Sequence, residues 1–453
     1  MASRKVRREK SYDLFDYFHV NQNAWPHEPQ IDKIVNDLIN PEDRDRVPGV
    51  AVAVRKNQQV VHLNCYGYAN LETGAKITPD TIFDLGSLSK QFTAIAILDL
   101  LSKKKLDMND HLSKFFKGLP RYADTITVED LLHHTSALPA YTDIYVASRL
   151  AAEDWYDQAL AKPDHWYPRM PNRRRRELTN KDVLGWIATQ KLLPRPPDTE
   201  YEYSNSGYVV LAELVARRTR KRFAEYLKQV LFSDLVMNDT YVFDEVSRFS
   251  RGAREIVNHA KCYNRVSGRF VPVGYTPLNF INGDGNVHST IRDLLRWELS
   301  LHVHDVMGLC FPTEAKKYGQ GHSIRELLWT PEVVKNRKQV NYGAGWNLLR
   351  DRYEKEVKVK GRRVTKKYES RAEFHRGEWL GWRTYFARGS RWPVPNAGKS
   401  VDPNALESLG IIVLSNANFG DKHFTTCRIA QDISRFYWGK WKKDNIMNNF
   451  NCG

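Results

Sequence analysis

Apolar and polar positions change period twice along the chain, and the changes divide it into sheet, helix and sheet again. Residues 50–54 read Val-Ala-Val-Ala-Val and residues 59–63 read Gln-Val-Val-His-Leu, with Arg-Lys-Asn-Gln between them. Two β-rich runs joined by a short polar link predict a hairpin. The apolar run over 92–101 is long enough to read as a buried helix rather than a strand. Helical spacing continues over 128–133, 181–191, 208–219 and 223–231, and Thr127 with Asp130 resembles a capping box. Strand character returns at 383–388, with Thr384 and Phe386 alternating, and at 409–415, an unbroken apolar run suited to a central strand.

This order predicts an α+β protein. An antiparallel sheet flanked by helices takes strands from both ends of the chain, an all-helical domain is inserted between them, and a cleft lies where the two meet. The boundaries that follow are a basic N-terminal extension over 1–30, a discontinuous sheet-containing domain over 31–120 and 290–445, a helical domain over 121–289, and a tail over 446–453. Segments near 143–180, 304–322, 355–367 and 389–403 read as loop or hairpin insertions.

Composition narrows the class. A chain of 453 residues with 42% hydrophobic residues can bury a large core. No stretch approaches the ~18 consecutive apolar residues that would span a bilayer, so no transmembrane segment is expected. The basic first ten residues are followed by no apolar run, so export by a cleaved signal is not expected either. The cysteines at 65, 262, 310, 427 and 452 are scattered and form no C-x-x-C. That pattern predicts neither a zinc site nor a disulfide framework, and fits a reducing, cytoplasmic setting. His133-His134 and His302-Val303-His304 match no H-E-x-x-H spacing, so no metal and no cofactor is expected. The net charge of +16 comes from blocks in the first ten residues, at Arg173 to Arg176, and at 355–367. These blocks lack the interleaved aromatics of a single-strand binder and read as solvated surface, so no nucleic-acid partner is expected.

Candidate chemistry sits at Ser87-Leu-Ser-Lys90, just before the apolar run. A lysine three residues after a serine at a helix start falls one turn on and on the same face, where its amine can reach the hydroxyl. The same spacing at Ser102 to Lys105 falls at the end of the run, where lysines complement a helix C-terminus. Tyr203-Ser-Asn205 places a phenol and an amide on one side of a loop. A phenol near an ammonium has its ionised form favoured and can relay a proton, and an amide can orient lysine and substrate. Tyr68-Ala-Asn70 repeats that spacing, but Asn70 precedes Leu-Glu-Thr-Gly and reads as a turn residue. The third element is His375-Arg-Gly377. Gly377 permits close approach of substrate to a strand edge, whose Glu378 N–H could join that of Ser87 in an oxyanion hole.

These three elements, in this order, resemble the serine β-lactamase and penicillin-binding-protein superfamily in its class C-like serine hydrolase branch. The likeness runs from about Val47 to Tyr437 and includes Thr78-Pro-Asp-Thr-Ile-Phe, Leu131-Leu-His-His-Thr-Ser-Ala-Leu-Pro, Gly283-Asp-Gly-Asn-Val-His-Ser-Thr-Ile-Arg-Asp-Leu, Tyr342-Gly-Ala-Gly-Trp and Leu414-Ser-Asn. It implies a β-lactamase/transpeptidase-like fold, with Ser87 as acylated nucleophile, Lys90 and Tyr203 as the proton-transfer pair, and Asn205 as a positioning amide. His375 stands where many β-lactamases carry the lysine of Lys-Thr-Gly, which is similar to esterase, D-aminopeptidase and D-Ala-D-Ala carboxypeptidase relatives. The implied activity is acyl transfer from a small ester, amide or short peptide. The alternatives are carboxypeptidase, D-aminopeptidase or β-lactamase activity, transfer to an alcohol, and a non-catalytic binding protein on a hydrolase scaffold. Two landmarks depart from the family pattern: Ala137 stands where glycine is usual, and Ser233-Asp-Leu-Val-Met where Pro-Leu-Gly-Met is typical. No G-x-S-x-G elbow is present, which argues against an α/β-hydrolase.

Overall fold

A computed structural model of the chain describes residues 13–40, 46–142, 178–244, 258–273, 278, 280–302, 328–336, 338–359, 362–393, 407–420 and 425–438. The arginine block at 173–176, the first ten residues, the insertion near 304–322, most of those near 143–180 and 389–403, and the tail lie outside them. The central sheet contains β1 (Val50–Lys56), β2 (Gln59–Tyr66), β3 (Asn347–Val359), β4 (Arg362–Trp379), β5 (Trp382–Pro393) and β6 (Glu407–Ser415). Their order is β3-β4-β5-β6-β1-β2, and every neighbouring pair is antiparallel. The early hairpin thus completes a sheet begun by the last third of the chain.

Helices α1 (Pro29–Ile39), α2 (Ser89–Ser102), α3 (Val128–His133), α4 (Asn205–Thr219), α5 (Ile291–His302) and α6 (Thr425–Trp438) cover the sheet and build the rest of the fold. Side chains alternate across a strand, so β1 sends Val50, Val52 and Val54 to one face, where they meet Ile31 and Val35 of α1 and Ile429 and Ile433 of α6. Ala51 and Ala53 point into the larger cluster on the other face, which contains α2. Ile411 and Val413 of β6 follow the first set, Ile412 and Leu414 the second. Burial on both faces is why 409–415 shows no polar alternation. In α2, residues 89–101 are all buried, the mark of a helix enclosed on every side.

Local signals account for the helix boundaries. The capping box of α3 is present: Asp130 N–H donates to Thr127 Oγ1, and Thr127 N–H donates to the Asp130 carboxylate. The helix expected over 208–219 starts three residues earlier, at Asn205. The run over 223–231 is α-helical only to Leu227 and continues as a π-turn over Lys228–Phe232. Asn70 is a turn residue, its Oδ1 accepting from the N–H groups of Glu72 and Thr73. Ser102 donates to the Asp99 carbonyl at the end of α2.

Several expectations meet a different arrangement. The basic stretch 355–367 is a hairpin, as its sequence suggests, and forms the tip of a longer ribbon: β3 and β4 pair from Asn347↔Phe374 to Val359↔Arg362, whereas β4 pairs with β5 only as far as Tyr368↔Pro393. Past Tyr368 the ribbon has no β5 neighbour and needs no apolar alternation, so the full extent of its strands was not legible. The segment after Asp13 belongs to the body, since Leu14 and Phe15 lie in the main core and Asp13 pairs with Arg296. Cys65 and Cys262 are free, but Cys427 is disulfide-bonded. This corrects the expectation that cysteine pairing plays no part, which rested on sequence spacing and so could not see residues brought together by folding. His133, remote in sequence from any metal motif, lies beside Glu129 and Glu332 within ligand-sharing distance. Among the described residues no helix is long and apolar enough to cross a membrane.

Both departures from the family landmarks fall on left-handed backbone. Ala137 has φ 55° and Val236 has φ 56°. A non-glycine residue there costs about 1–2 kcal/mol, and glycine's freedom in the unfolded chain returns about 0.5–1 kcal/mol of that. Ala137→Gly is therefore expected to stabilise the fold by about 0.5–1 kcal/mol, read as a higher urea midpoint. An unchanged or lower midpoint would show that the buried methyl contributes more than the backbone strain costs.

Candidate active site

The serine element is set by backbone contacts on three sides. Leu85 N–H donates to the Val287 carbonyl, Leu85 carbonyl accepts from Thr384 Oγ1 at 2.8 Å, and Gly86 N–H donates to Asp84 Oδ1 at 2.8 Å. Gly86 itself is left-handed, with φ 52°. A β-carbon on Gly86 would lie 2.8 Å from the Glu378 nitrogen, and one on Gly377 would lie 2.0 Å from the Leu85 carbonyl oxygen. Two glycines thus let the serine turn and the edge of β4 meet backbone to backbone. Burial pushes the Asp84 carboxyl up to about 7, against the opposing pull of its bond from Gly86. Residues 86–88 form a 3₁₀ turn and α2 begins at Ser89, two residues later than the sequence reading placed the helix start. Ser89 has a structural part, its Oγ accepting from Val287 N–H at 3.0 Å.

From residue 81 to residue 101 every side chain is buried except Ser87, which is partly exposed. Below it lies Lys90, with no exposed surface. Its Nζ donates to Ser87 Oγ at 3.0 Å, Asn205 Oδ1 at 2.7 Å and the Asp284 backbone carbonyl at 2.8 Å. It also sits 4.9 Å from the centre of the Tyr203 ring and 5.6 Å from that of Tyr208. Loss of solvation lowers the lysine pKa to about 7, with the Asp284 carboxylate pulling the other way. A lysine with that proton affinity is neutral in a large fraction of molecules near pH 7, and a neutral amine can accept the Ser87 proton.

Tyr203 and Asn205 reach the same point from the start of α4. Burial holds the pKa of Tyr203 well above the usual 10, against a smaller downward pull from Ser87. The phenolate favoured by the sequence reading is therefore disfavoured, because desolvation outweighs the help available from neighbours. Asn205 is fixed at both ends, accepting from Lys90 and donating through Nδ2 to Thr142 Oγ1 at 3.0 Å. His375 lies on the opposite wall, its ring centre 6.1 Å from that of Tyr203. Nδ1 is 2.7 Å from the Arg376 carbonyl, which can only accept, so Nδ1 carries the proton and Nε2 accepts from the Tyr342 hydroxyl at 3.0 Å. Burial, reinforced by Lys90, pushes the imidazole down to about 3, so it is neutral and has both nitrogens engaged.

The structure thus gathers Ser87 and Asn205 on the Lys90 amine with the Tyr203 ring beside it, Gly377 and Glu378 against the serine turn, and His375 across from Tyr203. Sequence reasoning missed Asp284, Tyr141 and Tyr342. Asp284 is buried, with Oδ2 accepting from Tyr141 O–H at 3.0 Å. Asp284 and Tyr342 both stand inside motifs that carried the family likeness, so the motifs were visible although the individual contacts were not.

A statistical model of the family described as Beta-lactamase matches residues 32–433, and the chain belongs to that family. It is 26% identical over 345 residues to penicillin-binding protein 4* of Bacillus subtilis (strain 168), a match covering 74% of this chain and 64% of that protein. It is 29% identical over 216 residues to protein flp of Staphylococcus aureus (strain N315), covering 47% of this chain and 37% of that protein. The chain thus spans less than two thirds of the length of either relative. Similar solved structures include the octameric penicillin-binding protein homologue from Pyrococcus abyssi, with TM-score 0.62, 21% identity, and 91% and 77% coverage of this chain and that one. D-amino acid amidase from Ochrobactrum anthropi SV3, complexed with L-phenylalanine, follows with TM-score 0.60, 19% identity, and 90% and 99% coverage. At such identities the likeness establishes the fold, which is β-lactamase/transpeptidase-like.

Proposed function

We propose that this protein is a serine hydrolase that cleaves a small ester or amide through an acyl-enzyme on Ser87. The observation that carries the reading is the pairing of the one partly exposed residue in a buried segment with a fully buried lysine 3.0 Å away. In the neutral form Lys90 takes the Ser87 proton as Oγ bonds to the substrate carbonyl carbon, giving a tetrahedral adduct. The Ser87 and Glu378 N–H groups bind the resulting oxyanion, a role supported by the close meeting of Gly86 with Gly377 and Glu378. The proton returns to the leaving alcohol or amine through the Tyr203 hydroxyl, a role supported by the ring's place beside the Lys90 amine. Water then attacks the acyl carbon by the same path in reverse and releases the acid. Asn205 holds Lys90 in reach of Ser87 throughout.

The D-amino acid amidase of the same fold supports an amide substrate for this scaffold. Having a neutral, doubly engaged His375 where many β-lactamases carry a lysine removes a cation from the wall, which favours esters and amides over β-lactams. An active-site-directed phosphonate and a panel of aryl esters, D-amino-acid amides and a chromogenic cephalosporin test the reading. Stoichiometric labelling of the Ser87 peptide with ester or amide turnover is expected. A folded protein that takes up no label, or takes it up on another residue, would sink it.

A further inference from the structure

His134 closes α3 and reaches into the site from outside the three sequence elements. Its backbone is left-handed, with φ 60° and ψ 38°, a conformation that non-glycine residues keep only where the surroundings enforce it. The residue is 1% exposed. Its carbonyl accepts from Glu202 N–H at 2.8 Å, and its ring Nδ1 accepts from Ser204 N–H at 3.1 Å. The backbone on each side of Tyr203 is thus tied to this one residue. Its ring centre lies 4.4 Å from that of Tyr203, 4.6 Å from Tyr342 and 5.1 Å from Tyr208.

The protonation state follows from these contacts. An amide can only donate to Nδ1, so the neutral ring carries its proton on Nε2, which is buried without a hydrogen-bond partner. Burial, then the neighbouring charge of Lys90, holds the pKa well below 6.5. The titratable groups around it are His133 beside it on α3, Lys90 on α2, Tyr201 and Tyr203 on the segment before α4, Tyr208 on α4, and Tyr342 and His375 on the far wall. A ring without an available lone pair cannot serve as a base, but a rigid neutral ring that accepts one amide and covers one phenol can locate that phenol.

We infer that His134 is a positioning residue that aims the Tyr203 hydroxyl at Ser87, by clamping the 202–204 backbone and bearing on the face of the Tyr203 ring. The inference rests on the acyl-transfer reading. It assigns a task to the second histidine of His133-His134, a pair that the catalytic elements leave without one.

His134→Asn and His134→Leu test it. Asparagine can place Oδ1 where Nδ1 accepts and tolerates left-handed backbone, while leucine fills similar space but accepts nothing. In the leucine variant kcat is expected to fall about 10²-fold, the scale of a small misplacement of a reacting group, with KM within a few-fold of wild type. The asparagine variant is expected to stay within about 10-fold, and the pH midpoints of kcat/KM are expected to be the same in both as in wild type. A leucine variant with kcat near wild type would overturn the inference. So would an asparagine variant that falls as far as leucine, or loss of the acidic limb of the pH profile. If His134→Leu does not fold, His134→Asn decides alone: retention within about 10-fold supports the clamp, and a loss of about 10² or more refutes it. Labelling of wild-type Ser87 is the control. If wild type is not labelled the acyl-transfer reading fails, whereas labelled wild type with indifferent His134 variants removes only the positioning role.

Discussion

Ser87→Ala is expected to lower ester and amide turnover by about 10⁴-fold or more and to eliminate phosphonate labelling, the scale seen when a serine nucleophile is deleted. The structure allows this test to be clean. Ser87 Oγ accepts from Lys90, whereas the turn is held by backbone bonds at Leu85 and Gly86. Removing one oxygen therefore leaves the scaffold in place, and the variant should melt within a degree or two of wild type. Residual activity near wild type in a folded Ser87→Ala protein would show that another group carries the chemistry. A matching loss of activity and melting temperature would instead mark Ser87 as structural. Substrate affinity is expected to survive, because the oxyanion N–H groups belong to the main chain.

Lys90→Met is expected to cost about 10³-fold or more in kcat while making the protein more stable. Loss of solvation lowers the pKa of Lys90 from 10.5 to about 7. An ammonium with a lowered folded pKa opposes folding fully below pH 7, and the penalty is relieved as pH rises from about 7 to 10.5. In that window the unfolded chain binds a proton that the folded one has released, so stability increases with pH. The gross penalty near neutral pH is about 5 kcal/mol at ~1.4 kcal/mol per pH unit. Methionine forfeits the bonds to Ser87, Asn205 and Asp284, which gives back about 3 kcal/mol. A net gain of about 2 kcal/mol is expected at pH 6–7, shrinking towards pH 10. Wild-type kcat/KM should rise with pH through about 7 as Lys90 becomes neutral. A stability difference that does not change with pH would show that Lys90 keeps an ordinary proton affinity, and a rate that falls through pH 7 would show that the ammonium is the working form.

Much of the fold was legible because its signals are local. Val50 to Val54 alternate with alanines on a strand buried on both sides, and Thr127 and Asp130 form the capping box their spacing suggests. The continuation of β3 and β4 beyond Tyr368 was not legible as part of two long strands, because there the ribbon runs past β5 and has no core to pattern against. The two family departures at Ala137 and Val236 were visible as letters, but only the backbone angles show that both occupy left-handed positions.

The candidate site divides along the same line. The sequence alone determined that Ser87 and Lys90 share a face one turn apart and that Tyr203 and Asn205 flank a helix start, because helix geometry converts short spacings into directions. It also determined the family, since ordered motifs over most of the chain are improbable by chance. Only the tertiary structure decided the proton affinities. It buried Lys90 against the Asp284 carbonyl, engaged both nitrogens of His375, and closed His134 on the Tyr203 backbone. Those outcomes depend on how much water each group loses and which distant atoms replace it, and no local spacing encodes either.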